Sequence, residues 1–356
     1  MSRERESSLE FACFGSRCAV FVTGTGRAGS PQEATELVRR TLLAWHERFS
    51  RFRADSELAR LNDDPRRTVP VRPLMARLAL AVRRAGELSG GLVDGTLLPE
   101  IERAGYTREV RRALPLATAL GLAPPRHRAG PSPEQRWRGL DIDLEGDTVT
   151  RPLGVQIDSG GLAKGLFADV LGSSLATHSS FAVNCAGDLL LGGSRHASRV
   201  VNVESPFDGR PLHSFELVRG GVATSGIGRR SWLDPDGAPA HHLLDPSSGR
   251  PAYTGIVQVT ALAPTALAAE IKAKAALLSG PRGASAWLRE GGVIVFDDGS
   301  HELLAPPPVV GVAQLAALVP SHAGSGSSRA RIRRRPAGSE LSPAAAEVSL
   351  ASNPGS

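Results

Sequence analysis

Residues 155–165 read Val-Gln-Ile-Asp-Ser-Gly-Gly-Leu-Ala-Lys-Gly (VQIDSGGLAKG), and they decide the fold prediction. An apolar run ends at Asp158, two glycines follow, and a helical pattern begins at Leu162. This order predicts a strand, a tight turn and a helix whose free N–H groups point at the turn. Such a helix start binds anions, and Lys164 in its first turn adds a charge suited to a phosphate.

The same residues also have a simpler interpretation, in which Gly160 and Gly161 only make a tight turn and Lys164 is solvated. The segment is not a Walker A loop, because the G-x-x-x-x-G-K-[ST] spacing is absent. We expect Asp169, about one turn along the helix, to anchor the side that carries the lysine.

Strand and helix patterns flank this segment and predict an α+β protein. Before it we expect a strand at 12–23, helices at 31–52 and 72–89, a capped helix start within 53–62, a short helix within 92–106, an exposed connection at 107–137 and a hairpin at 140–158. After it we expect helices at 162–177, 265–278 and 281–290, and strands at 181–191, 198–203, 212–218, 221–226, 255–263 and 292–297.

The run GTGRAG at 24–29 matches the dinucleotide fingerprint G-x-G-x-x-G. Ser30, Pro31 and Glu33 form an N-cap, a first-turn proline and a capping box, so the helix begins after the last glycine. A true fingerprint places its glycines in the turn between strand and helix and continues to a second strand, which the pattern lacks. We therefore predict a hairpin-like or surface loop here.

Length and composition bound the protein class. The chain has 356 residues, of which 41% are hydrophobic and 22% charged, so disorder of the whole chain is excluded. We expect a flexible N-terminus at 1–10, one domain at 11–315 and a disordered tail at 316–356. The net charge of +6 lies largely in the tail run SSRARIRRR at 327–335, so we expect no nucleic-acid partner.

Targeting signals are also missing from the pattern. No apolar run is long enough for a membrane span, and the first residues do not resemble a signal peptide. We therefore expect a cytoplasmic protein. The three cysteines lack CxxC spacing, so neither a disulfide framework nor a zinc knuckle is expected.

Three further segments contain candidate site residues. In AHHLLDPSSGRP at 240–251, His242 and Asp245 precede a turn that can bring an imidazole and a carboxylate to one edge, and His241 is expected to face solvent. FAVNCAGD at 181–188 delivers Asp188 to a glycine turn. GVATSG at 221–226 can line a narrow pocket with small residues.

In this order, the segments resemble the ApbE-type FAD:protein FMN transferases. The similar blocks are FGS at 14–16, RFRADSELARLN at 51–62, GLVDGTLLPEIERAGY at 91–106, VQIDSGGLAKG, FAVNCAGD, GVATSG and HHLLDPSSGRP. The resemblance covers about residues 11–309. It implies a single ApbE/T-fold-like domain with mixed and antiparallel sheets and packed helices. It also implies an enzyme that uses Mg2+ to transfer FMN from FAD to a Thr or Ser hydroxyl of a target flavoprotein, releasing AMP.

The resemblance also implies roles for individual residues. His242, with Asp245, stands at the catalytic position that orients the incoming hydroxyl. The residues expected to contact FAD are Phe14, Phe52, Ser56, Asp94, Asp158, Gly160, Lys164, Asp188, Thr224, Ser225 and Gly226. The metal ligands implied are the Gly161 carbonyl and the side chain of Glu270.

One position departs from the family. Where the family has a second metal-binding side chain, a threonine, this chain has Lys274, which cannot be a ligand while protonated. Lys274 either supplies part of the metal's charge and contacts the pyrophosphate, or marks a protein that binds FAD without efficient transfer. The alternatives to a flavin transferase are thus an FAD-binding protein or weak FAD pyrophosphatase and, from GTGRAG, a dinucleotide-dependent oxidoreductase.

Overall fold

An antiparallel eight-stranded sheet organises the protein, in the order β1-β2-β6-β7-β10-β15-β16-β17. The computed structural model describes residues 4–110, 112–306 and the backbone of 346–349. The strands are β1 (Glu6–Cys13), β2 (Ser16–Thr23), β3 (Thr68–Pro70), β4 (Asp141–Asp143), β5 (Thr148–Thr150), β6 (Ser180–Cys185), β7 (Asp188–Gly192), β8 (Arg199–Glu204), β9 (Pro211–Leu217), β10 (Gly220–Gly226), β11 (Ser231–Leu233), β12 (Pro239–His241), β13 (Leu244–Asp245), β14 (Arg250–Pro251), β15 (Ile256–Ala263), β16 (Gly292–Phe296), β17 (His301–Leu304) and β18 (Ala346–Ser349).

Helices pack against this sheet and confirm the predicted α+β class. They are α1 (Pro31–Arg48), α2 (Glu57–Asp63), α3 (Pro73–Ser89), α4 (Leu98–Arg103), α5 (Leu116–Gly121), α6 (Ala163–Leu175) and α7 (Ala266–Ser279). One core cluster joins α1, α3 and α6 to β2 and β6, and a second joins α7 and the β8–β9 hairpin to β7, β10, β15 and β16.

The prediction of one strand at 12–23 is wrong, because a hairpin turn divides the segment. Cys13 pairs with Ser16, and the two residues between them, Phe14 and Gly15, have φ values of 55° and 65°. Positive φ at both central residues is the mark of a type I′ turn, whose twist matches that of the flanking strands. The segment at 181–191 is likewise a hairpin, which turns at Ala186 and Gly187 between β6 and β7.

The predicted capping box at the start of α1 is confirmed. The Ser30 hydroxyl accepts a hydrogen bond from the Glu33 N–H, and the Glu33 carboxylate accepts one from the Ser30 N–H. The GTGRAG run before it is a loop closed by a bridge between Gly26 and Gly29, as predicted. Because β2 pairs antiparallel with both β1 and β6, no parallel βαβ unit surrounds that loop, and the dinucleotide interpretation is wrong.

Several other predicted elements differ from the structure. Residues 155–158 belong to no strand of the described sheets. The helix predicted at 281–290 is reduced to the 3-10 turn Ala284–Trp287, and the connection at 107–137 contains α5. Gly280 has a positive φ, which ends helix α7 before that 3-10 turn.

Both predicted ends lie mostly outside the described residues. The tail predicted at 316–356 is described only at β18, which pairs in parallel with β8, and the N-terminus predicted at 1–10 is described from residue 4, with β1 already begun by Glu6. Among the helices of the described ranges, none is long and apolar enough to cross a membrane.

Candidate functional site

A cavity beside α7 brings together residues from four distant parts of the sequence. It is lined by Asp94 and Gly95, by Asp158, Gly161 and Leu162, by His242 to Leu244, and by Lys274. The structure therefore places Asp94, Asp158, Gly161, His242 and Lys274 around one cavity.

Backbone contacts hold Asp158 at the cavity. The side-chain amide of Asn62, in α2, donates to the Ile157 carbonyl at 2.9 Å and accepts from the Ile157 N–H at 2.8 Å. The Asp158 N–H then donates to the Gly95 carbonyl at 2.8 Å. These bonds replace a strand partner for the extended segment, so its polar backbone is satisfied without a sheet.

Asp94 presents an unused acceptor to the cavity. Its Oδ1 accepts from the Thr96 N–H at 2.8 Å and from the Thr96 hydroxyl at 2.6 Å. Its Oδ2 is buried and has no hydrogen-bond partner among the described residues. Burial raises the pKa of Asp94 above its usual range, against the opposing hydrogen bonds from Thr96. A buried acceptor without a partner is costly, which suits a site that is completed by a ligand.

His242 lines the cavity as a neutral imidazole. Burial lowers its pKa well below 6.5, and the positive charges of Arg230 and Lys274 lower it further. Its Nδ1 is buried and has no partner among the described side chains and backbone. A neutral imidazole with a free ring nitrogen can accept a proton from a hydroxyl.

The neighbouring His241 is buried, so the expectation that it faces solvent is wrong. It is 1% exposed, its ring contacts the Tyr253 ring at 4.9 Å between centroids, and its Nδ1 accepts from the Leu243 N–H. Burial lowers its pKa to about 3. Because His241 ends β12 and His242 follows in a bend, the two rings take different environments, and only His242 reaches the cavity.

Two buried ion pairs lie next to one another beside the cavity. Lys274 Nζ lies 2.7 Å from Glu270 Oε1, one helical turn away on α7, and Lys164 Nζ lies 2.6 Å from Asp188 Oδ2. The other carboxylate oxygen of Glu270 accepts from the Gly165 N–H at 2.9 Å. Burial and the nearby Asp188 raise the pKa of Glu270, while both lysines oppose that shift.

These contacts do not fit the Mg2+ site that the family resemblance implies. Both oxygens of Glu270 are engaged, one of them by an ammonium group that would repel a cation at the same place. Within the described residues, no group of three or more His, Cys, Asp or Glu side chains could hold a metal ion. Mg2+ prefers about six oxygen ligands, and the carbonyl of Gly161 with one occupied carboxylate falls short of that.

The glycine turn before α6 borders open space at Gly161. Gly160 and Gly161 form a 3-10 turn before α6, and the Gly160 N–H donates to Asp158 Oδ1 at 3.0 Å. A Cβ at Gly161 would meet nothing within 4 Å, so this residue borders open space. The simpler interpretation, in which Lys164 is solvated, is wrong, because the Lys164 ammonium is bound to the buried Asp188.

Other predicted FAD contacts lie outside the cavity lining. Phe52 is 42% exposed against Tyr106, and the Phe14 carbonyl accepts from Arg230 at 2.8 Å. Ser56 is the N-cap of α2 and accepts from the Ala59 N–H at 2.9 Å. In β10, the Thr224 hydroxyl bonds that of Thr260 at 2.8 Å, and Ser225 and Gly226 complete the strand. Their roles toward FAD stay predictions.

Asp245 organises the loop after His242. Its carboxylate accepts from the Gly130 N–H at 3.0 Å and from the hydroxyls of Ser247 and Ser248 at 2.8 Å and 2.9 Å. Burial alone would raise its pKa, but these hydrogen bonds outweigh burial and hold the pKa below the usual range. With its oxygens occupied, Asp245 is suited to positioning the His242 loop.

Near the site, sequence analysis missed Asn62 and Arg51 and assigned Asp169 to the wrong helix. Asn62 secures Ile157, as described above. Asp169 accepts from the Ala266 and Leu267 N–H groups at 2.7 Å and 3.1 Å, so it caps α7 and does not anchor the lysine side of α6. Arg51 lies 4.2 Å from the Tyr106 ring centroid and has a buried Nη1 without a partner in the described part of the chain. Its sequence signal was the pair Arg51-Phe52, where only the phenylalanine was considered.

Fold and site together define an α+β protein with a cavity of mixed apolar and polar lining beside a helix-covered antiparallel sheet. The cavity is lined by His242, by Asp94 and by Lys274, whose ammonium pairs with the buried Glu270. A sequence model of the ApbE family matches residues 14–296, and the chain belongs to this family.

Named relatives and solved structures agree with this assignment. The chain is 29% identical over 308 residues to the FAD:protein FMN transferase of Treponema pallidum, covering 81% of this chain and 83% of the relative. It is 25% identical over 276 residues to the enzyme of that name from Escherichia coli K12, covering 74% and 76%. Its fold matches the ApbE protein of Thermotoga maritima with a TM-score of 0.66 at 24% identity, covering 84% of this chain and 97% of that one. The Pseudomonas stutzeri flavinyl transferase ApbE matches at 0.65 and 22%, covering 85% and 96%.

Proposed function

We propose that this protein transfers FMN from FAD to a Thr or Ser hydroxyl of a target flavoprotein. The acceptor oxygen forms a bond to the FMN phosphorus, the bond from that phosphorus to the bridging oxygen breaks, and AMP leaves with the bridging oxygen. The hydroxyl proton is taken up first by the enzyme and then by water. Relatives that carry the name FAD:protein FMN transferase support this assignment.

One observation carries the proposal: the imidazole of His242 and the side chain of Lys274 line the same cavity. In the proposed reaction, His242 accepts the proton of the attacking hydroxyl. The lowered pKa of His242 favours the neutral ring, which is the form that accepts a proton, and at the same time makes the ring a weaker base. Lys274 binds the diphosphate oxygens and stabilises the charge that develops on the leaving AMP.

The remaining cavity residues orient the flavin nucleotide. Asp94 Oδ2 is free to accept a hydrogen bond from an N–H or O–H group of FAD. Gly161 leaves room for the diphosphate to approach the backbone at the start of α6. The predicted requirement for Mg2+ is not part of the proposal, since the donors around Glu270 do not fit that ion.

A second function at the same cavity is FAD binding or slow FAD hydrolysis. The Lys274–Glu270 contact favours it, because the ammonium occupies the position where the family resemblance implies a metal. In hydrolysis, water replaces the acceptor hydroxyl, and the products are free FMN and AMP. The acceptor protein and the predicted cytoplasmic location both stay predictions.

A transfer assay with His242→Gly separates these functions. The wild type is incubated with FAD and a protein bearing an acceptor threonine, and covalent flavin fluorescence on a denaturing gel is measured together with AMP. We expect labelled protein and AMP in equal amounts from the wild type, a loss of about 100-fold or more in His242→Gly, and partial rescue of that variant by added imidazole.

The control is His213→Gln, which changes a histidine of β9 outside the cavity lining and should retain full transfer. AMP with free FMN and no labelled protein would establish hydrolysis instead. Full FMN transfer by His242→Gly would exclude His242 as the group that accepts the hydroxyl proton.

A further inference from the structure

We propose that the Lys274 ammonium replaces a divalent cation in this protein, so that FAD binds through fixed ammonium charge without a metal held by Glu270. This inference rests on the proposed function for its ligand, FAD. It goes beyond that function by inferring that the charge of Lys274 takes the place of a divalent cation, so that FAD binding needs no metal at Glu270.

Helix geometry places the ammonium where the charge is needed. Residues 270 and 274 lie one turn apart on α7, so their side chains project from the same face. Glu270 is fully buried and Lys274 is 7% exposed, yet Lys274 also lines the cavity. Lys274 therefore bonds a buried carboxylate through its ammonium and also borders the cavity.

The hydrogen bonds of Lys274 leave capacity for a ligand. A lysine ammonium has three N–H donors. One donates to Glu270 at 2.7 Å, and in the described ranges this is the one hydrogen bond that the Lys274 side chain makes. The other two donors are available to diphosphate oxygens. Hydrogen bonds from an ammonium to a charged phosphate oxygen are stronger than hydrogen bonds between neutral groups.

Charge balance also favours the ammonium over a metal. Glu270 and Asp188 are each neutralised by one lysine, so the two ion pairs carry no net charge. A divalent ion bound to Glu270 would have to displace Lys274 or lie beside it, and like charges repel strongly in a buried site. Arg230 adds positive potential at His242, while the carboxyl groups of Asp94 and Asp158 also line the cavity.

The chain contains a matched control on the same helix. Lys272 also pairs with a glutamate, Glu290, but it lies outside the cavity lining and is more exposed. Substitution of Lys272 removes one lysine–glutamate pair from α7 without touching the cavity. Any effect particular to Lys274 then reports on the site.

The first measurement is FAD binding with all divalent metal removed by EDTA, followed by titration of Mg2+. We expect the wild type and Lys272→Met to bind FAD equally well with and without Mg2+. We expect Lys274→Met to bind about tenfold or more weakly, since loss of a charged hydrogen bond of about 1.5–3 kcal/mol is at least a tenfold change. Lys274→Arg should retain binding.

Lys274→Met leaves the buried Glu270 carboxylate unpaired, which can destabilise the protein. The double variant Lys274→Met/Glu270→Gln removes the ammonium without leaving an unpaired charge and is measured beside it. It should show the same weak FAD binding. Binding as tight as wild type in a folded double variant would overturn the inference.

The second measurement uses Mn2+ alone as a probe and follows the signal of the free ion by electron paramagnetic resonance. We expect no binding that depends on Glu270 in the wild type, and weak binding gained in Lys274→Thr. Stoichiometric Mn2+ binding by the wild type that Glu270→Gln abolishes would overturn the inference, as would FAD binding that is lost in EDTA and restored by Mg2+.

The two proposals fail separately. Metal-independent FAD binding that requires Lys274, without labelled target or AMP, would refute the transferase and leave the role of Lys274 intact. Transfer that strictly requires Mg2+ bound through Glu270 would refute the role of Lys274 and leave the transferase intact.

Discussion

Gly165→Ala tests how closely α6 and α7 must pack for the site to form. A Cβ at Gly165 would lie 2.7 Å from Leu267 Cα and 2.8 Å from the Ala266 carbonyl oxygen. Both are backbone atoms of α7, so no side chain can rotate away. The same backbone position donates the 2.9 Å hydrogen bond from Gly165 to Glu270.

The magnitude follows from these distances. Ordinary contact begins at 3.4 Å, so the helices must separate by about 0.7 Å to admit the methyl group. Overpacking of this kind costs about 1–3 kcal/mol, and a lost hydrogen bond to a charged group costs about 1.5–3 kcal/mol. Alanine regains up to about 1 kcal/mol of helix propensity. We expect a net loss of about 2 kcal/mol or more in the free energy of unfolding.

Urea denaturation of Gly165→Ala and Gly121→Ala measures this difference. Gly121 ends α5, and a Cβ there would meet nothing within 4 Å, so Gly121→Ala should be neutral or slightly stabilising. A Gly165→Ala protein as stable as the wild type would show that α6 and α7 are not in the close contact described here.

Two further predictions concern stability. Asp169→Ala removes the acceptor for the Ala266 and Leu267 N–H groups, so we expect the free energy of unfolding to fall by about 1–2 kcal/mol in thermal denaturation. Asp169→Asn should lose less stability. Equal stability of the wild type and both variants would exclude a capping role. His241 has a folded pKa of about 3, so below its usual 6.5 the unfolded chain binds a proton that the folded chain does not. Stability should then fall by up to about 1.4 kcal/mol per pH unit from pH 6.5 toward 3, and urea titrations of His241→Leu should show a shallower loss; an unchanged slope would contradict this.

Local sequence signals predicted the elements that depend on neighbouring residues. Ser30, Pro31 and Glu33 marked the start of α1 because a cap needs only residues within one turn. Turns inside strands were harder to predict. The β1–β2 turn was missed because Phe14 takes a positive φ that is uncommon for an aromatic residue.

Side-chain partners distant in sequence were the main source of error. Asp169 was assigned to its own helix, although its partners lie nearly a hundred residues further on, at the start of α7. The burial of His241 was not predicted, because the local sequence does not show whether the last residue of a short strand faces the core. No pattern within α2 indicated that Asn62 would bond the backbone at Ile157.

The order of motifs along the chain determined the family, the α+β class and the position of the glycine turn, since each depends on local spacing and short-range hydrogen bonding. Only the tertiary structure decided what Lys274 does. The sequence placed it one turn from Glu270 and left open whether it faced solvent, a metal or a ligand. Close packing at Gly165 brings α7 against α6 and buries Glu270, and a buried carboxylate requires a partner. That requirement places the Lys274 ammonium beside the cavity.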